Sequence, residues 1–225
     1  MTEGRPDPDA GSFADPRPTY DTVAPDYAER FLDELAHKPF DRDLLDRFAD
    51  AVPLGTGPTG PLVCDLGCGP GHIGAHLARR GLDVVGIDLS AGMVETARRA
   101  FPALTFDQGD MTALDRPEGT FAAITCFYAI IHLPRAVVPI ALGEMRRTLV
   151  EGGQLLLSAH GGDGSLHADV MLEHAVSLDA TLFGLDELTA MIEAAGFSLI
   201  EAHERPPYPE EVATPRLYVW AATHP

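Results

Sequence analysis

Three carboxylates and three glycines stand close together in the first half of the sequence. They are Asp65, Asp88, Asp110, Gly67, Gly69 and Gly71. Each acid lies near the end of a predicted strand or just after one, and the glycines alternate directly after the first strand. Alternate glycines allow positive φ angles and let a ligand approach bare main chain. The pattern predicts a ligand site at the carboxyl edge of a sheet.

The charge at this edge narrows the class of ligand. Three carboxylates would repel a pyrophosphate and would favour a nucleoside that carries positive charge. S-adenosylmethionine has a sulfonium and an ammonium group, and therefore suits such a field. Asp88 falls about where an acid binds the ribose in nucleotide-binding sheets.

Two other glycine-rich nucleotide motifs fit the sequence less well. A dinucleotide fingerprint needs a small third residue for close packing of helix on strand, and His72 occupies that position. The P-loop pattern, with its lysine after the last glycine, is absent from the sequence. A nicotinamide-dependent oxidoreductase is a rival interpretation, which His72 and Asp65 disfavour.

The elements that hold these residues alternate between strand and helix. Leu62–Leu66 is mostly apolar, as a strand covered on both faces should be, and a helix is predicted over 72–80. Further strands are predicted at 83–88, 104–107, 121–128, 154–159, 198–204 and 217–223, with further helices at 91–100, 135–149 and 183–195. This alternation predicts a parallel sheet with right-handed crossovers.

Four motifs in order resemble those of the class I S-adenosylmethionine-dependent methyltransferases of the small-molecule type. They are Asp65-Leu-Gly-Cys-Gly-Pro-Gly71, Asp88-Leu-Ser, Gly109-Asp-Met111 and the run 150–157. The similarity covers roughly residues 19–223. It implies an α/β Rossmann-like sheet of seven mostly parallel strands in the order 3-2-1-4-5-7-6, with strand 7 antiparallel. Helices would cover both faces, and an N-terminal helical lid would close over S-adenosylmethionine, with S-adenosylhomocysteine as product.

The resemblance also implies a set of cofactor contacts. They are Tyr20, Tyr27, Asp65, Gly67, Cys68, Gly69, Gly71, Asp88, Leu89, Ser90, Met93, Gly109, Asp110, Met111 and Phe127. Asp110 would accept the adenine amine, and Met111 would pack on the ring. Ser90 is also a plausible N-cap of the helix 91–100. Cys68 is a reactive thiol in one interpretation, and a small residue filling the turn in the other.

Candidate catalytic residues follow from the chemistry of methyl transfer. The donor is already activated, so the protein mainly aligns the acceptor and removes a proton where the acceptor is oxygen or nitrogen. His132 follows the fourth strand and is the predicted base, with Tyr20 and Tyr128 as weaker candidates for orienting an acceptor. The alternative is that His132 packs the turn before Pro134.

The segment 160–176 is predicted to be irregular and is rich in histidine and acid. His160 and His167 are predicted substrate contacts, because this segment lies above the acceptor pocket in the family. A metal site with Asp163 and Glu173 is the alternative, but the spacing is not a recognised one. We expect no metal.

Composition bounds the domain organisation and the partners. The 225 residues suit one domain. We expect a disordered leader at 1–18 and a lid of two helices at 19–53, divided near Pro39 and Asp41. The core would cover 54–225 and begin with a linker at 54–61. A net charge of −18 disfavours nucleic acids and anionic membranes. No apolar run approaches the length of a span, and Met1 to Asp15 lack the apolar core of a secretory signal. We expect a cytoplasmic protein, monomeric or homodimeric, acting on a small molecule.

Three function classes remain in competition. The leading one is methylation of a small, largely apolar metabolite on oxygen, nitrogen or carbon. The second is a protein that binds the cofactor without methylating, which an intact glycine turn cannot distinguish from the first. The third is the oxidoreductase, which the residues around the turn disfavour.

Overall fold

The fold of the chain is known from a computed structural model that describes residues 13–52 and 62–224. The predicted linker at 54–61 and the first twelve residues of the predicted leader lie outside the described residues. The strands, in chain order, are β1 Leu62–Leu66, β2 Asp83–Asp88, β3 Thr105–Gln108, β4 Phe121–Phe127, β5 Leu149–His160, β6 Ser165–Met171, β7 His174–Thr181, β8 Phe197–Arg205 and β9 Arg216–Thr223.

Seven of these strands form one sheet in the order β3-β2-β1-β4-β5-β9-β8. Strands β1 to β5 pair in parallel, and β9 runs antiparallel to both β5 and β8. The predicted fold class and strand order are therefore confirmed. The last two strands carry the numbers 8 and 9 because an extra hairpin precedes them.

That hairpin corrects the prediction of an irregular segment at 160–176. Strands β6 and β7 pair antiparallel as a separate two-stranded sheet. The turn between them is made by Leu172 and Glu173, with φ angles of +49° and +67°. Asn-Gly or Asp-Gly usually marks such a turn in a sequence, and here no glycine or asparagine does so.

Six α-helices flank the sheets within the described ranges. They are α1 Arg17–Phe31, α2 Pro39–Ala51, α3 His72–Arg79, α4 Ala91–Ala100, α5 Val138–Thr148 and α6 Leu185–Ala194. The helical segment 17–51 divides before Pro39, which starts α2, because proline suits a first helical position. Helix α1 begins at Arg17, so the last two residues of the predicted leader are helical.

The core lies on both faces of the seven-stranded sheet. One face packs on α5 and α6, and the other packs on α2 and α3. Helix α1 packs through Val23 and Ala24 on Met93 of α4, with Val176 of the hairpin against the same cluster. The N-terminal helix and the hairpin therefore meet above the carboxyl edge of the sheet, where the predicted site lies.

Candidate functional site

The glycine turn connects β1 to α3 through backbone of positive φ. Gly67, Gly69 and Gly71 have φ angles of +70°, +51° and +88°. A Cβ on Gly67 would stand 2.1 Å from the Cβ of Ala129. The amide of Gly67 donates to the Ile87 carbonyl at 2.7 Å, which fixes the turn to the end of β2. Glycine is required at position 67 for conformation and for space.

Asp88 is held at the end of β2 by two main-chain donors. The Gly69 amide donates to Oδ2 and the Ser90 amide donates to Oδ1, both at 2.8 Å. Burial raises the pKa of Asp88, and these amides oppose that shift by stabilising the charged form. Because a carboxylate offers about four acceptor positions, Asp88 can still accept from a vicinal diol.

A cleft of about 260 Å³ lies against this turn, and we refer to it as the glycine-turn cleft. Its lining includes Tyr20, Tyr27, Gly67, Gly69, Asp88, Leu89, Met93, Gly109, Asp110, Met111 and His132, all predicted site residues. Bare main chain, two carboxylates and two methionines fit the phosphate-free nucleoside of S-adenosylmethionine. These residues would hold the cofactor.

Two other predicted cofactor contacts are structural in this arrangement and lie outside the lining. Asp65 is buried and accepts from the Gly74 amide at 2.8 Å and the Thr125 hydroxyl at 3.0 Å, and burial raises its pKa to about 6. It therefore anchors the first turn of α3. Cys68 packs with Phe106, and burial raises the pKa of its thiol, so the small-residue interpretation applies.

Three further predicted cofactor contacts also lie outside the cleft lining. Gly71 is the N-terminal neighbour of α3. The Ser90 hydroxyl caps α4, as predicted, by accepting from the Met93 amide at 3.0 Å. Phe127 packs on the opposite face of the sheet, with its ring 6.3 Å from that of Tyr218.

A second cavity, of about 820 Å³, adjoins the cleft. Tyr20, Tyr27 and His132 line both spaces. One wall is the hairpin, which contributes mainly apolar side chains, and we therefore refer to the space as the hairpin cavity. The apolar wall consists of Leu166, Ala168, Val170, Met171, Leu178 and Ala180.

His132 lies between the two spaces in a fixed tautomer. Its Nδ1 is 2.8 Å from the carbonyl oxygen of Asp179, which can only accept, so Nδ1 carries the proton. Its Nε2 is then the acceptor for the Tyr20 hydroxyl at 2.7 Å. Burial lowers the pKa of His132 below its ordinary 6.5. A neutral imidazole with an accepting nitrogen can take up a proton.

Tyr128 begins the loop after β4 in a strained conformation. Its φ is +53°, which non-glycine residues seldom adopt. Its hydroxyl lies 2.9 Å from that of Tyr218, which donates to Asp41 at 2.8 Å. Tyr128 lines the hairpin cavity and not the glycine-turn cleft.

Beside Tyr128 lies a largely buried cluster of six charged side chains that we refer to as the ion cluster. Its members are Lys38, Arg205, Arg216, Glu34, Asp41 and Glu211. Lys38 meets Glu34 at 2.7 Å and Glu211 at 3.2 Å. Burial raises the pKa of Glu211, but Arg205, the Tyr208 amide, Lys38 and Arg216 together outweigh burial and lower that pKa to about 2. Three cations and three anions make the cluster neutral as a whole.

Most of the ion cluster is not predictable from the sequence. Its members come from α2 and the turn before it, from β8, from β9 and from the loop between those strands. Charged residues so far apart in sequence carry no spacing that links them. Lys38 lines the hairpin cavity.

The two histidines predicted to contact substrate both line the hairpin cavity. His160 lies with Nδ1 2.8 Å from the Thr214 hydroxyl. His167 has Nδ1 2.7 Å from Asp179 Oδ1 and Nε2 3.1 Å from Asp169. Among residues 13–52 and 62–224, no group of three or more His, Cys, Asp or Glu side chains is arranged to hold a metal.

Helix α1 is fastened to α4 by one carboxylate. Asp21 Oδ1 accepts from the Ser90 hydroxyl at 2.6 Å and from the Gly92 amide at 2.9 Å. A Cβ on Gly92 would lie 2.9 Å from the Asp21 Cα. This contact sets the position of Tyr20, one residue earlier, over both spaces.

Comparisons with known sequences agree on one type of domain. A family model described as a methyltransferase domain matches residues 63–153. The demethylmenaquinone methyltransferase of Beutenbergia cavernae is 40% identical over 116 residues, covering 52% of this chain and 47% of that protein. The trans-aconitate 2-methyltransferase of Methylobacterium nodulans is 30% identical over 180 residues, covering 74% and 66% respectively. The chain spans about half the length of the first curated relatives it matches.

Solved structures show the same fold. An S-adenosylmethionine-dependent methyltransferase from Methanosarcina mazei superposes with a TM-score of 0.67 at 18% identity, covering 73% of this chain and 92% of that one. The 1,6-didemethyltoxoflavin-N1-methyltransferase of Burkholderia thailandensis, with S-adenosylhomocysteine bound, gives 0.62 at 18% identity, covering 96% and 93%. No helix in the described part of the chain is long and apolar enough to cross a membrane.

Proposed function

We propose that this chain, which belongs to the class I S-adenosylmethionine-dependent methyltransferases, transfers a methyl group to a small, largely apolar metabolite. The observation that carries the proposal is the junction of the two spaces at Tyr20, Tyr27 and His132. In-line displacement needs the donor on one side of such a junction and the acceptor on the other. When bound, the cofactor supplies a methyl group already activated by its sulfonium.

The glycine-turn cleft is the cofactor side in this proposal. Gly67 and Gly69 offer main chain, Asp88 accepts the ribose hydroxyls, and Asp110 with Met111 meets the adenine. Asp110 Oδ1 already accepts from the Thr112 amide and hydroxyl at 2.8 and 2.7 Å, so its carboxylate is held in one orientation. Preorganised acceptors of this kind reduce the cost of ordering on binding.

The hairpin cavity is the acceptor side, and the Tyr20–His132 pair removes a proton where the acceptor is a hydroxyl or an amine. The acceptor donates to Tyr20 Oη, and Tyr20 passes its own proton to His132 Nε2 along the 2.7 Å hydrogen bond. The bond from His132 Nδ1 to the Asp179 carbonyl stabilises the resulting imidazolium. General-base assistance of this kind contributes about 10²- to 10⁴-fold to rate.

We also propose a division of the chain into lid and core, and a cellular location. Residues 19–53 serve as a lid on a core over 54–225, and a small molecule in a cytoplasmic setting is the partner. The net charge of −18 supports a small-molecule acceptor over a nucleic acid.

The test is calorimetric titration with S-adenosylmethionine, S-adenosylhomocysteine and NAD, on the wild type and Asp88→Ala. We expect binding of the two adenosyl ligands and none of NAD. Asp88→Ala should weaken adenosyl binding by about 1–3 kcal/mol, since it orphans buried hydroxyls. A screen of phenols, amines and carboxylic acids for transfer of labelled methyl then tests turnover. Tight adenosyl binding with no transfer to any acceptor would favour a binding protein, and NAD binding would favour the oxidoreductase.

A further inference from the structure

The floor of the hairpin cavity presents one hydrogen-bond donor whose direction is fixed. His160 is the last residue of β5 and pairs in register with Arg216 of β9. Its ring lies 5.2 Å from the ring of Tyr128, tilted by 37°. Both side chains line the cavity. The imidazole is thus held by the sheet on one side and by an aromatic ring on the other.

The protons around Thr214 determine the tautomer of His160. Arg216 Nη1 donates to the Thr214 hydroxyl oxygen at 2.7 Å, so that oxygen accepts from arginine. Among the described residues, the hydroxyl proton of Thr214 has one acceptor within reach, His160 Nδ1 at 2.8 Å. His160 Nδ1 is therefore the accepting nitrogen, and the proton lies on Nε2. Within the described ranges Nε2 makes no hydrogen bond to the protein.

The charges nearby do not favour an anion at this position. Lys38 is paired with Glu34 and Glu211, and Arg216 lies 3.7 Å from Glu211. Arg216 and Lys38 would attract an additional anion beside His160, and Glu211 would repel it. The cavity lining as a whole offers no net attraction, because it carries four carboxylates against three cations: Asp33, Glu34, Glu210 and Glu211 against Arg30, Lys38 and Arg216. Burial and Arg216 lower the pKa of His160 to about 3, so the imidazole stays neutral near neutral pH.

We infer that the methyl acceptor carries a neutral carbonyl-type oxygen, remote from the methylated atom, which accepts the hydrogen bond of His160 Nε2. The inference rests on the proposed function and specifies its substrate class. The apolar hairpin wall would cover the body of such a molecule, and the Tyr20–His132 pair would meet its nucleophile. A ketone, ester, lactone or quinone oxygen meets the requirement, whereas a carboxylate does not.

Three probes with one skeleton test this inference. They are 2-naphthol, 6-acetyl-2-naphthol and 6-hydroxy-2-naphthoate, which differ only in having no group, a neutral carbonyl or a carboxylate opposite the hydroxyl. Each is titrated into the full chain saturated with S-adenosylhomocysteine. We expect 6-acetyl-2-naphthol to bind roughly ten-fold more tightly than either of the others, the usual effect of satisfying one buried donor.

Three variants assign the preference to His160. His160→Phe keeps a ring beside Tyr128 but removes the donor, and should abolish the preference while 2-naphthol binding changes less than about three-fold. His160→Gln retains an N–H donor and should keep part of the preference. His174→Phe is the control, because His174 lies outside the lining of both spaces and pairs with Asp26 instead, and should keep all of it.

The outcomes separate this inference from the proposed function. Equal affinity of the three probes for the wild type, tightest binding of the carboxylate, or no probe binding at all overturns the inference. Binding of S-adenosylhomocysteine in the same experiment shows whether the cofactor site is intact, so its absence counts against the proposed function instead. If His160→Phe does not fold, the order of the probes on the wild type and His160→Gln decides.

Discussion

The glycine-turn cleft and the hairpin cavity are adjacent, but they are built in different ways. The cleft is formed by short motifs at the ends of β1, β2 and β3, and its shape comes largely from main chain at Gly67 and Gly69. The cavity is formed by side chains from elements spread between Tyr20 and Arg216. A site made by backbone can be inferred from local sequence, whereas a site made by distant side chains depends on the complete fold.

The largest effect is expected from Gly67→Ala, which tests whether main chain at position 67 shapes the glycine-turn cleft. The new Cβ would collide with Ala129 at 2.1 Å and would sit at a φ of +70°. Left-handed strain of about 1–2 kcal/mol should lower stability. Overpacking of about 1–3 kcal/mol should displace the turn that lines the cleft, so affinity for S-adenosylhomocysteine should fall by up to roughly 100-fold. Calorimetry and thermal unfolding measure both effects.

Gly81→Ala is the matched control for that variant. Gly81 has a φ of +92°, but a Cβ there meets nothing within 4 Å. It should lose about 1–2 kcal/mol of stability from strain alone and keep cofactor affinity. If the two variants lose the same affinity, the steric role assigned to Gly67 is wrong.

Features encoded by local motifs could be predicted from the sequence, and features built from distant residues could not. The parallel sheet followed from the alternation of strand and helix, and its strand order followed from the family resemblance that the four ordered motifs carry. Ser90 caps α4 as predicted. The hairpin was missed because Leu172 and Glu173 make its turn without the usual glycine or asparagine. The ion cluster was missed because pairs such as Asp41 with Arg205 are 164 residues apart.

The junction between the two regions is tested by His132→Ala. Loss of the proton acceptor should reduce methyl transfer to a phenol by roughly 10²-fold while leaving binding of S-adenosylhomocysteine within three-fold. Because burial lowers the pKa of His132, the acid limb of the wild-type rate profile should fall below pH 6.5 and should vanish in the variant. Stopped-time assays with labelled cofactor measure both.

Two further variants are assayed in the same experiment: Tyr20→Phe tests the proton path, and His174→Ala is the control. Tyr20→Phe removes the hydroxyl that passes the proton and should slow transfer with the cofactor still bound. His174 pairs with Asp26 of α1 and lies outside the lining of both spaces, so its loss should change the rate less than two-fold. A His132 variant that retains a third of the wild-type rate would reduce this histidine to a packing role.

A smaller effect is expected where α1 is fastened above both regions. In Gly92→Ala the new Cβ meets the main chain of Asp21 at 2.9–3.0 Å, which must displace α1 and its Tyr20. We expect cofactor affinity to fall about five- to ten-fold, as a misfit of about 1 kcal/mol would give. Gly143→Ala, where a Cβ meets nothing within 4 Å, is the helical control and should not weaken binding. Equal affinities in the two variants would mean that α1 does not shape the cleft.

The smallest expected effect is the pH dependence of folding stability that His160 contributes in the hairpin cavity. Burial, with Arg216, lowers the pKa of His160 to about 3 in the folded protein, from 6.5 for a solvated imidazole. The unfolded chain therefore binds a proton first as the pH falls. The stability contributed by neutral His160 is fully present above about pH 6.5 and is lost progressively as the pH falls from there through about 3.

Urea unfolding of wild type and His160→Phe at pH 7, 6 and 5 measures this dependence. The wild type should lose more stability per pH unit than the variant, by at most about 1.4 kcal/mol, the value for one proton. The slope is the readout, because the substitution also changes stability at every pH. His37→Phe, at an exposed position of the same cavity, should follow the wild type. A His160→Phe slope equal to the wild type's would mean that His160 is solvated, and the cavity floor would then be wet rather than a dry site with one fixed donor.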